Sequence, residues 1–423
     1  MKFRIWFLFL CGVLFDAIHP AHAQKLLINM DLRQTDHLKA YGVAFWTLEH
    51  SINVEWLLNY RGGSFLIDHH AEIERELRLR GVAYSIVGAG EVAQIYAEIE
   101  SNNMEVVVLE KAPAIAVYTP PNKQVWDDAV TLALAYAEIE YEKLWDEQVL
   151  QGDLEKYDWL HLHHEDFSGQ YGRFYASFHG TPWYQEEVAT NEALAKKLGF
   201  KKVSELKRAV AQVVKEYVLR GGFLFAMCSA TDTIDLTLAS ANTDIVGAIH
   251  DYDPADPDCQ SKLDFSQTFA FENFVLEMNP LVYEFSNIDI PPSTNPRVRS
   301  ADADFFTLFE FSAKYDPVPT MLTQDHVSVV NGFMGQTTGY RRSLIKKSVT
   351  ILAEVPNSEE VKYIHGNLGR GTFTFYGGHD PEDYQHMVYD PPTQLSLHKN
   401  SPGYRLILNN ILFPAAKKKK RKT

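Results

Sequence analysis

Residues 221–232 are Gly-Gly-Phe-Leu-Phe-Ala-Met-Cys-Ser-Ala-Thr-Asp, and this stretch decides the fold. Its apolar run, Phe223–Met227, predicts a buried strand, and the small residues that follow predict a sharp turn at Cys228. A helix should begin near Thr231 or Asp232, because either side chain can cap it. A helical pattern that ends at the two glycines precedes the strand. The order helix, glycine turn, buried strand, helix is typical of an α/β sheet.

The alternation of helical and strand patterns extends from this stretch in both directions. It divides the chain into an N-terminal α/β region, 24–112, and a larger domain, 113–416, with insertions near 166–200 and 241–300. We predict an α/β fold, in which a doubly wound, mostly parallel sheet is preceded by the smaller region. We expect mostly parallel strands in the smaller region as well.

The first residues have the pattern of a secretory signal peptide. Lys2 and Arg4 give a positive start, residues 5–14 are apolar, and Ala-His-Ala at 21–23 is a cleavage site of small residues. We therefore expect an exported protein, periplasmic or secreted after cleavage near Ala23. No later run approaches the ~18 apolar residues of a membrane helix, so the mature chain should contain no integral membrane segment.

The charge of the chain indicates which partners to expect. Its formal net charge is −15 although residues 417–422 are all basic. So acidic a protein repels nucleic acid and anionic membranes, and we expect a small-molecule or cell-envelope substrate and no nucleic acid partner. The basic run at 417–423 should be a disordered, solvated tail. The sequence does not indicate an oligomeric state.

Two cysteines remain after the signal peptide, Cys228 and Cys259. A disulfide between them is compatible with an oxidising compartment. The predicted position of Cys228 at a strand end, and of Cys259 in a polar loop, argues against that pairing, but sequence alone leaves it open.

Cys228 is the first candidate for chemistry. A thiol becomes nucleophilic when a base or a helix N-terminus favours its thiolate. His379 follows the predicted strand at 371–376, so it could accept the proton, and Glu382 or Asp380 could orient its imidazole. Alternatively, Cys228 is a small buried apolar residue with no chemical role.

A second cluster combines histidines and acids over residues 161–166: His161, His163, His164, Glu165 and Asp166. On a strand His161 and His163 share a face, while His164 points to the other side. Imidazole and carboxylate groups suit Zn²⁺ or a similar divalent ion, with His161, His163 and Glu165 as the candidate metal ligands. The same side chains could instead contact an organic ligand, or line an unrelated pocket. No other cofactor is expected.

Aromatic residues are concentrated between 167 and 184. Trp183 and Tyr184 are candidates for stacking on a sugar or a peptide. They could equally pack the insertion as a lid over the end of a strand.

These motifs give the run from 114 to 412 a resemblance to the class I glutamine amidotransferase-like (flavodoxin-like) fold. In that family a strand leads into an elbow with a nucleophilic cysteine, and a later strand ends in His-x-Glu. The resemblance implies that Cys228 is the nucleophile and that His379 and Glu382 complete the site. The sequence departs from the pattern in having Ala226 and Ala230 beside the elbow, and His-Asp-Pro-Glu at the second motif.

The whole chain also resembles a group of exported bacterial proteins called asparagine synthetase B. The resemblance is carried by four stretches, at 25–31, 59–63, 158–167 and 371–384. Glutamine-dependent asparagine synthetases have a cysteine directly after the initiator Met and a Ser-Gly-Gly-x-Asp-Ser loop for ATP. This chain has neither, so we do not expect asparagine synthesis.

Three functional hypotheses follow from the sequence. The first is a cysteine-dependent hydrolase of the amidotransferase-like type, which cleaves an amide or acyl bond of an unidentified substrate. The second is a non-catalytic module that binds a saccharide or peptide in the same cleft. The third is a metal-dependent hydrolase that uses the histidine cluster.

Overall fold

The computed structural model describes residues 24–122, 124–290 and 300–416. The predicted signal peptide and the predicted basic tail lie outside these ranges. Within them the chain is a mixed α/β protein with two sheets, which confirms the predicted α/β class. None of the helices in these ranges is long and apolar enough to cross a membrane.

The smaller sheet is built from the first strands of the chain. The strands are β1 (Lys25–Ile28), β2 (Val54–Leu58), β3 (Ser64–Asp68), β4 (Ser85–Val87) and β5 (Glu105–Leu109). Their order across the sheet is β4-β1-β3-β2-β5. Every pairing between them is antiparallel.

The expectation of mostly parallel strands in this region is therefore wrong. The reason lies in the short turn between β2 and β3, where Asn59, Arg61, Gly62 and Gly63 all have positive φ. So tight a reversal joins neighbouring strands as a hairpin, and hairpin strands are necessarily antiparallel. Helical periodicity between two strands does not by itself determine whether those strands are neighbours.

The larger sheet contains the remaining strands. They are β6 (Ile115–Tyr118), β7 (Glu142–Leu144), β8 (Trp159–Leu162), β9 (Phe223–Met227), β10 (Phe305–Leu308), β11 (Val329–Asn331), β12 (Tyr340–Arg341), β13 (Thr350–Glu354), β14 (Glu360–Leu368) and β15 (Gly371–Tyr376). Their order is β11-β10-β13-β14-β15-β9-β8-β6-β7, and β12 pairs with β14.

This sheet has a parallel half and an antiparallel half, which meet at β15. The neighbours β15, β9, β8, β6 and β7 are parallel to one another. On the other side of β15, the pairings of β14, β13, β10 and β11 are antiparallel. Only the parallel half matches the expectation of parallel strands.

Helices surround both sheets. In chain order they are α1 (His37–Glu49), α2 (Ala71–Arg80), α3 (Ala89–Ser101), α4 (Ala129–Ala137), α5 (Asp146–Leu150), α6 (Tyr175–Phe178), α7 (Pro182–Lys197), α8 (Val203–Arg220), α9 (Ala230–Ala239), α10 (Ala248–Asp251), α11 (Pro317–Leu322) and α12 (Pro402–Leu412). The helix α12 follows Ser401, whose side chain accepts a hydrogen bond from the Tyr404 amide and so caps the first turn.

The central strand β9 shows why an uninterrupted apolar run forms a strand here. Phe223, Phe225 and Met227 belong to a core shared with α4 and α12. Leu224 and Ala226 belong to the core on the opposite face, shared with α8 and α9. Because successive side chains point to opposite faces, a strand covered on both sides must be apolar throughout. The prediction of a strand at Phe223–Met227 is confirmed.

The helix after the elbow begins slightly earlier than predicted. Its first residue is Ala230, and Ser229 is the N-cap, although no side chain makes a capping hydrogen bond there. The prediction of Thr231 or Asp232 as a cap is therefore wrong. The two residues lie instead in the first turn of α9, and Thr231 donates its hydroxyl to the Cys228 carbonyl oxygen at 2.7 Å.

The two sheets share a hydrophobic core. One cluster of buried side chains includes residues of β1–β3, of β6 and β9, and of α1, α4 and α12. Arg405 of α12 is fully buried in this junction and donates hydrogen bonds to the carbonyl oxygens of Met30 at 3.0 Å and Gly62 at 2.7 Å. Helix α12 therefore holds the first sheet against the second.

Candidate functional site

Three neighbouring parallel strands end beside one another, and each is followed by a residue capable of chemistry. Leu162 of β8 lies opposite Ala226 of β9, and Met227 lies opposite Tyr376 of β15. The residues after these strands are therefore at the same edge of the sheet, where open α/β sheets bind ligands. They are His163 and His164 after β8, Cys228 after β9, and His379 two glycines beyond β15.

Cys228 has the backbone conformation of an elbow. Its φ is +50°, a left-handed value that is unusual for a residue with a Cβ. Ala226 is the penultimate residue of β9 and Ala230 begins α9, and neither has a positive φ. The strain of the turn therefore falls on Cys228 itself, and the flanking alanines need no glycine-like freedom.

The backbone of the histidine segment is hydrogen-bonded to the start of α9. The Ala230 amide donates to the His163 carbonyl oxygen at 3.0 Å, and the Ser229 hydroxyl donates to the His164 carbonyl oxygen at 2.9 Å. The first of these satisfies one of the amides that every helix leaves free at its N-terminus. This contact fixes both histidines next to the elbow.

The structure brings two of the histidines, His163 and His164, together with His379 and Cys228. His163, His164, Cys228 and His379 each offer one donor atom, and these four atoms all lie within 4.8 Å of one another. His379 Nδ1 and His163 Nε2 are 2.8 Å apart. The rings of His163 and His164 stack with their centroids 3.9 Å apart. Imidazole and thiol groups are thus concentrated in one buried cluster.

Asp128 extends this cluster beneath the sheet edge. Its Oδ1 accepts the amides of Val130 and Thr131 and so caps α4. Its Oδ2 lies 3.1 Å from His161 Nε2 and 3.3 Å from His163 Nδ1. His163 Nδ1 makes no hydrogen bond within the described ranges, so its contact with Asp128 is electrostatic. Sequence analysis missed Asp128, although an Asp directly before a helical pattern is a recognisable capping signal.

The contacts of Asp128 define how protons are placed in the cluster. Burial by itself would raise the pKa of Asp128. The electrostatic attraction of His161 and His163 for the ionised carboxylate is stronger, and it holds the pKa of Asp128 well below its usual range. An ionised Asp128 favours a proton on His163 Nδ1, which leaves His163 Nε2 to accept the proton on His379 Nδ1. His379 Nε2 then carries a free lone pair.

Burial also keeps the imidazoles of His164 and His379 neutral. Burial, followed by the neighbouring His163 and His386, lowers the pKa of His379 well below its usual range. Burial, followed by His163 and His379, does the same for the pKa of His164. Neutral imidazoles can accept a proton or bind a metal ion, whereas imidazolium groups can do neither.

The Cys228 thiol is also uncharged at rest. Burial raises its pKa to about 11, although the backbone amides of Gln336, Ser229 and Thr337 act in the opposite direction. Those amides surround the thiol with N–H donors that would stabilise negative charge in its neighbourhood. Gln336 and Thr337 were missed in the sequence, although the glycines at 332, 335 and 339 mark a loop that can approach another backbone closely.

Both cysteines are free, so no disulfide joins Cys228 to Cys259. Cys228 instead opens onto a pocket of about 360 Å³. The wall of the pocket is largely apolar and is formed by Trp126, Phe174, Phe178, Tyr283, Met334 and Met387. His164, His379 and His386 lie at its polar end. The thiol is therefore buried but faces a space large enough for part of a small molecule.

The acids expected to orient His379 point elsewhere. Glu382 Oε2 lies 2.8 Å from His398 Nδ1. Asp380 accepts the Tyr404 hydroxyl at 2.8 Å and the Glu382 amide at 2.8 Å. The structure therefore gives His163 and Asp128, not Glu382 or Asp380, the position behind His379.

His386 is a further residue that sequence analysis missed. Its ring centroid lies 4.2 Å from that of His379. Its Nδ1 is 2.8 Å from Asp383 Oδ2, and its Nε2 is 3.1 Å from Asp127 Oδ1. A lone histidine in an irregular segment gives no periodic signal, so its approach to the site was visible only in the folded chain.

The two acids of the histidine motif are not in the cluster. Burial raises the pKa of Glu165 well above its usual range, and the charged group that most opposes this is Lys207. Asp166 accepts amides of Ser168, Gln170 and Gly172 at 2.7–3.0 Å, so it shapes the loop after the histidines. Of the predicted metal ligands, His163 lies in the cluster, His161 faces Asp128, and Glu165 lies apart.

The predicted stacking residues lie behind the pocket. Trp183 is buried against Trp126 and Phe174, with ring centroids 5.4 and 5.6 Å apart. Tyr184 is buried against Tyr171. Trp126 and Phe174 do reach the pocket, together with Phe178 and Tyr283. Trp183 and Tyr184 therefore support the wall and do not form its surface.

Comparisons with known proteins provide little that bears on function. No protein-family model matches this sequence, and no curated protein matches it. Among solved structures, a distant likeness is found to two cytoplasmic proteins of Salmonella typhimurium, STM3548 and STM1381. STM3548 is 10% identical over 72% of this chain and 100% of its own, with a TM-score of 0.34. STM1381 is 10% identical over 72% of this chain and 99% of its own, with a TM-score of 0.33.

Proposed function

We propose that this protein is a cysteine-dependent hydrolase that cleaves an amide or related acyl bond, with Cys228 as nucleophile and His379 as general base. The observation that carries the proposal is the elbow. Cys228 has a φ of +50° at the end of a buried strand, and it lies against His379 and the pocket. A strained backbone at a buried thiol is a cost to the fold, and such strain is concentrated at functional sites.

The order of the parallel strands supports an amidotransferase-like, doubly wound domain. Numbered along the chain, β6, β7, β8, β9 and β15 are arranged 2-1-3-4-5 across the sheet, which is the flavodoxin-like order. Helices α4 and α12 cover one face and α8 and α9 the other. In sheets of this order the ligand lies at the carboxyl ends of the strands, where Cys228 is located.

The protonation of the site suits general-base catalysis better than a resting ion pair. The thiol and the His379 imidazole are both neutral before reaction. As Sγ attacks the acyl carbon, its proton passes to His379 Nε2, and the carbonyl oxygen becomes an oxyanion. His379 returns this proton to the leaving amine as the carbon–nitrogen bond breaks, which leaves a thioester on Cys228. Water activated by His379 then hydrolyses the thioester and regenerates the thiol.

The surrounding groups have distinct roles in this scheme. The amides of Gln336, Thr337 and Ser229 stabilise the negative charge that develops beside Cys228. His163 and Asp128 hold the tautomer of His379 that leaves Nε2 free. The aromatic wall of the pocket would accept an uncharged part of a small-molecule or cell-envelope substrate. The leader-like pattern of residues 1–23 supports an exported location for this reaction.

The proposal is tested by comparing matched cysteine variants. Hydrolysis of a panel of small amides and thioesters would be measured for the wild type, Cys228→Ala and Cys259→Ala. We expect Cys228→Ala to lose all hydrolysis above the uncatalysed rate, and Cys259→Ala to retain it, because Cys259 lies outside the pocket. Thermal melting of each variant would confirm folding. A folded Cys228→Ala protein that hydrolyses substrate at the wild-type rate would overturn the proposal.

A further inference from the structure

The four donor atoms beside the elbow have the composition of a metal-ligand set. His163, His164, Cys228 and His379 offer three imidazole nitrogens and one sulfur, all within 4.8 Å of one another. Tetrahedral Zn²⁺ with bonds of about 2.0–2.1 Å to nitrogen and 2.3 Å to sulfur separates its ligand atoms by about 3.3–3.6 Å. The rings of His163 and His164 are stacked within 14° of parallel, so both must rotate about their side-chain torsions before their nitrogens point at one ion.

The groups behind the cluster have the arrangement that supports a metal-bound histidine. His163 Nδ1 faces Asp128 Oδ2 at 3.3 Å, while His163 Nε2 faces the other ligands. Ligating histidines usually direct their second nitrogen to a carboxylate, which orients the ring. Asp128 is itself held by the amides of Val130 and Thr131 at the start of α4. The carboxylate is thus rigidly placed on the side of His163 away from the cluster.

The backbone also fixes the ligands in advance. His163 and His164 are held by the contacts of their carbonyl oxygens with Ala230 and Ser229. Cys228 donates its amide to the Gly378 carbonyl oxygen at 3.1 Å, which places the elbow against the residue preceding His379. All ligand-bearing segments follow strands of one sheet, so the donor atoms approach one another without a large rearrangement of the chain.

The chemistry of the donor set indicates the class of metal. Thiolate and imidazole ligands select Zn²⁺ and related transition ions, whereas Mg²⁺ and Ca²⁺ take oxygen ligands. A neighbouring group, formed by Asp127, His379 and His386, shares His379 but contains no sulfur. The group with Cys228 provides four soft or borderline donors, which is the complete shell of a tetrahedral site.

We propose that His163, His164, Cys228 and His379 bind one Zn²⁺-like ion, with Cys228 as a thiolate, and that the bound ion blocks the nucleophile. Binding releases the thiol proton to solvent and forms a metal–sulfur bond. The second half of the proposal rests on the proposed function: a metal-bound thiolate and a metal-bound His379 cannot attack an acyl group. Metal occupancy and thiol hydrolysis are then mutually exclusive states of one site.

Metal binding is tested with Co²⁺ and Zn²⁺ on the full chain after treatment with a chelator. We expect one ion per chain, and a thiolate-to-Co²⁺ charge-transfer absorption that Zn²⁺ abolishes by displacement. Cys228→Ser should remove the absorption. His164→Gln should weaken Co²⁺ binding by more than the roughly 10–100-fold that loss of an outer-shell partner costs. The matched controls, Cys259→Ser and the exposed His50→Gln, should bind Co²⁺ like the wild type.

Two results would overturn the metal site: no stoichiometric Co²⁺ or Zn²⁺ binding by the folded wild type, or a charge-transfer absorption that persists in folded Cys228→Ser. The proposed hydrolase fails by a different readout, namely no acyl group on Cys228 in the metal-free protein. If both activities are present, Zn²⁺ at one equivalent should abolish acylation, and a chelator should restore it. Full acylation of the zinc-loaded protein would contradict the mutual exclusion.

Discussion

A continuous series of contacts runs from the pocket to the start of helix α4. It passes from Cys228 through His379 and His163 to Asp128. The contact of His379 with His163 is 2.8 Å and that of His163 with Asp128 is 3.3 Å. Asp128 touches neither the pocket nor the thiol, so it acts through the histidines as a positioning residue. Its carboxylate favours the tautomer in which His379 Nε2 can accept a proton.

Replacing this carboxylate by an amide separates its electrostatic role from its capping role. Asp128→Asn keeps an oxygen for the amides of Val130 and Thr131 but presents an NH₂ group to His163. We expect stability within about 1 kcal/mol of the wild type, and a fall of roughly 10²–10⁴-fold in Cys228 acylation. Acylation would be followed by mass spectrometry across a pH series, since loss of the tautomer should also move the pH profile.

Asp128→Ala is the control for this prediction, because it removes the cap as well and should lose about 1 kcal/mol of stability. Wild-type rates in Asp128→Asn at every pH would show that the carboxylate does not position His379.

At the residue scale, the sequence predicts the site residues that directly follow apolar strands. It misses the site residues that lie in irregular segments distant in the chain. Cys228, His163 and His379 are predictable because each comes directly after a buried run, or after two glycines. His386 and Gln336 reach the site from irregular segments, and their positions depend on contacts between distant parts of the chain. Glu382 was chosen by its place in the motif, but in the folded chain its carboxylate contacts His398.

At the scale of elements, the turn after β15 is as important as the elbow. Gly378 has a φ of +104°, and its carbonyl oxygen accepts the Cys228 amide. A Cβ at this position would lie 2.4 Å from the Phe333 ring, which belongs to the loop that supplies the Gln336 and Thr337 amides. The turn therefore joins the elbow, His379 and the amide donors in one packed unit.

Gly378→Ala tests this unit. The new methyl group must displace the Phe333 ring, and the backbone must also adopt a strained φ. We expect a loss of about 2–4 kcal/mol by urea unfolding, with slower acylation of Cys228 because the amide donors move. The control is Gly81→Ala, where φ is +70° but nothing lies within 4 Å of the new Cβ. It should cost about 1 kcal/mol and leave acylation unchanged. Equal effects of the two variants would contradict close packing at the turn.

Elements with a continuous apolar pattern were predicted well, whereas strand directions were predicted correctly only in the parallel half of the larger sheet. The strand β9 has the predicted bounds, because a strand that is buried on both faces must be apolar at every position, and that run is visible in the local sequence. The antiparallel small sheet was missed because the direction of a strand depends on which strand it pairs with. That choice is made by contacts across the sheet and by a turn at 59–63, not by periodicity.

At the scale of the whole molecule, buried polar groups hold the two sheets together. His37 Nε2 lies 3.0 Å from the Met30 carbonyl oxygen, and its ring stacks on His326 at 4.2 Å. Burial, followed by the charge of Arg405 and the neighbouring His326, lowers the pKa of His37 to about 3. The junction is therefore built around a neutral imidazole that the folded state cannot easily protonate.

This junction should be sensitive to acid. The pKa of His37 is lower in the folded than in the unfolded chain, so its contribution to stability is present above about pH 6.5 and is lost as pH falls towards 3. Between pH 7 and 5 we expect the wild type to lose about 2 kcal/mol more unfolding free energy than His37→Gln. Urea unfolding of both proteins at both pH values measures this difference. The contributions of all other titrating groups are the same in the two proteins, so they cancel in the comparison. Equal losses would show that His37 does not control the acid sensitivity.

The most direct test of the central claim is to look for an acyl group on Cys228. The metal-free full chain would be incubated with p-nitrophenyl acetate, quenched in acid, and digested for peptide mass spectrometry. The account predicts a burst of p-nitrophenolate near one equivalent and an acetyl group on the Cys228 peptide, with none on Cys259 and no burst in Cys228→Ser. An unmodified Cys228, or equal acetylation of Cys259, would contradict it.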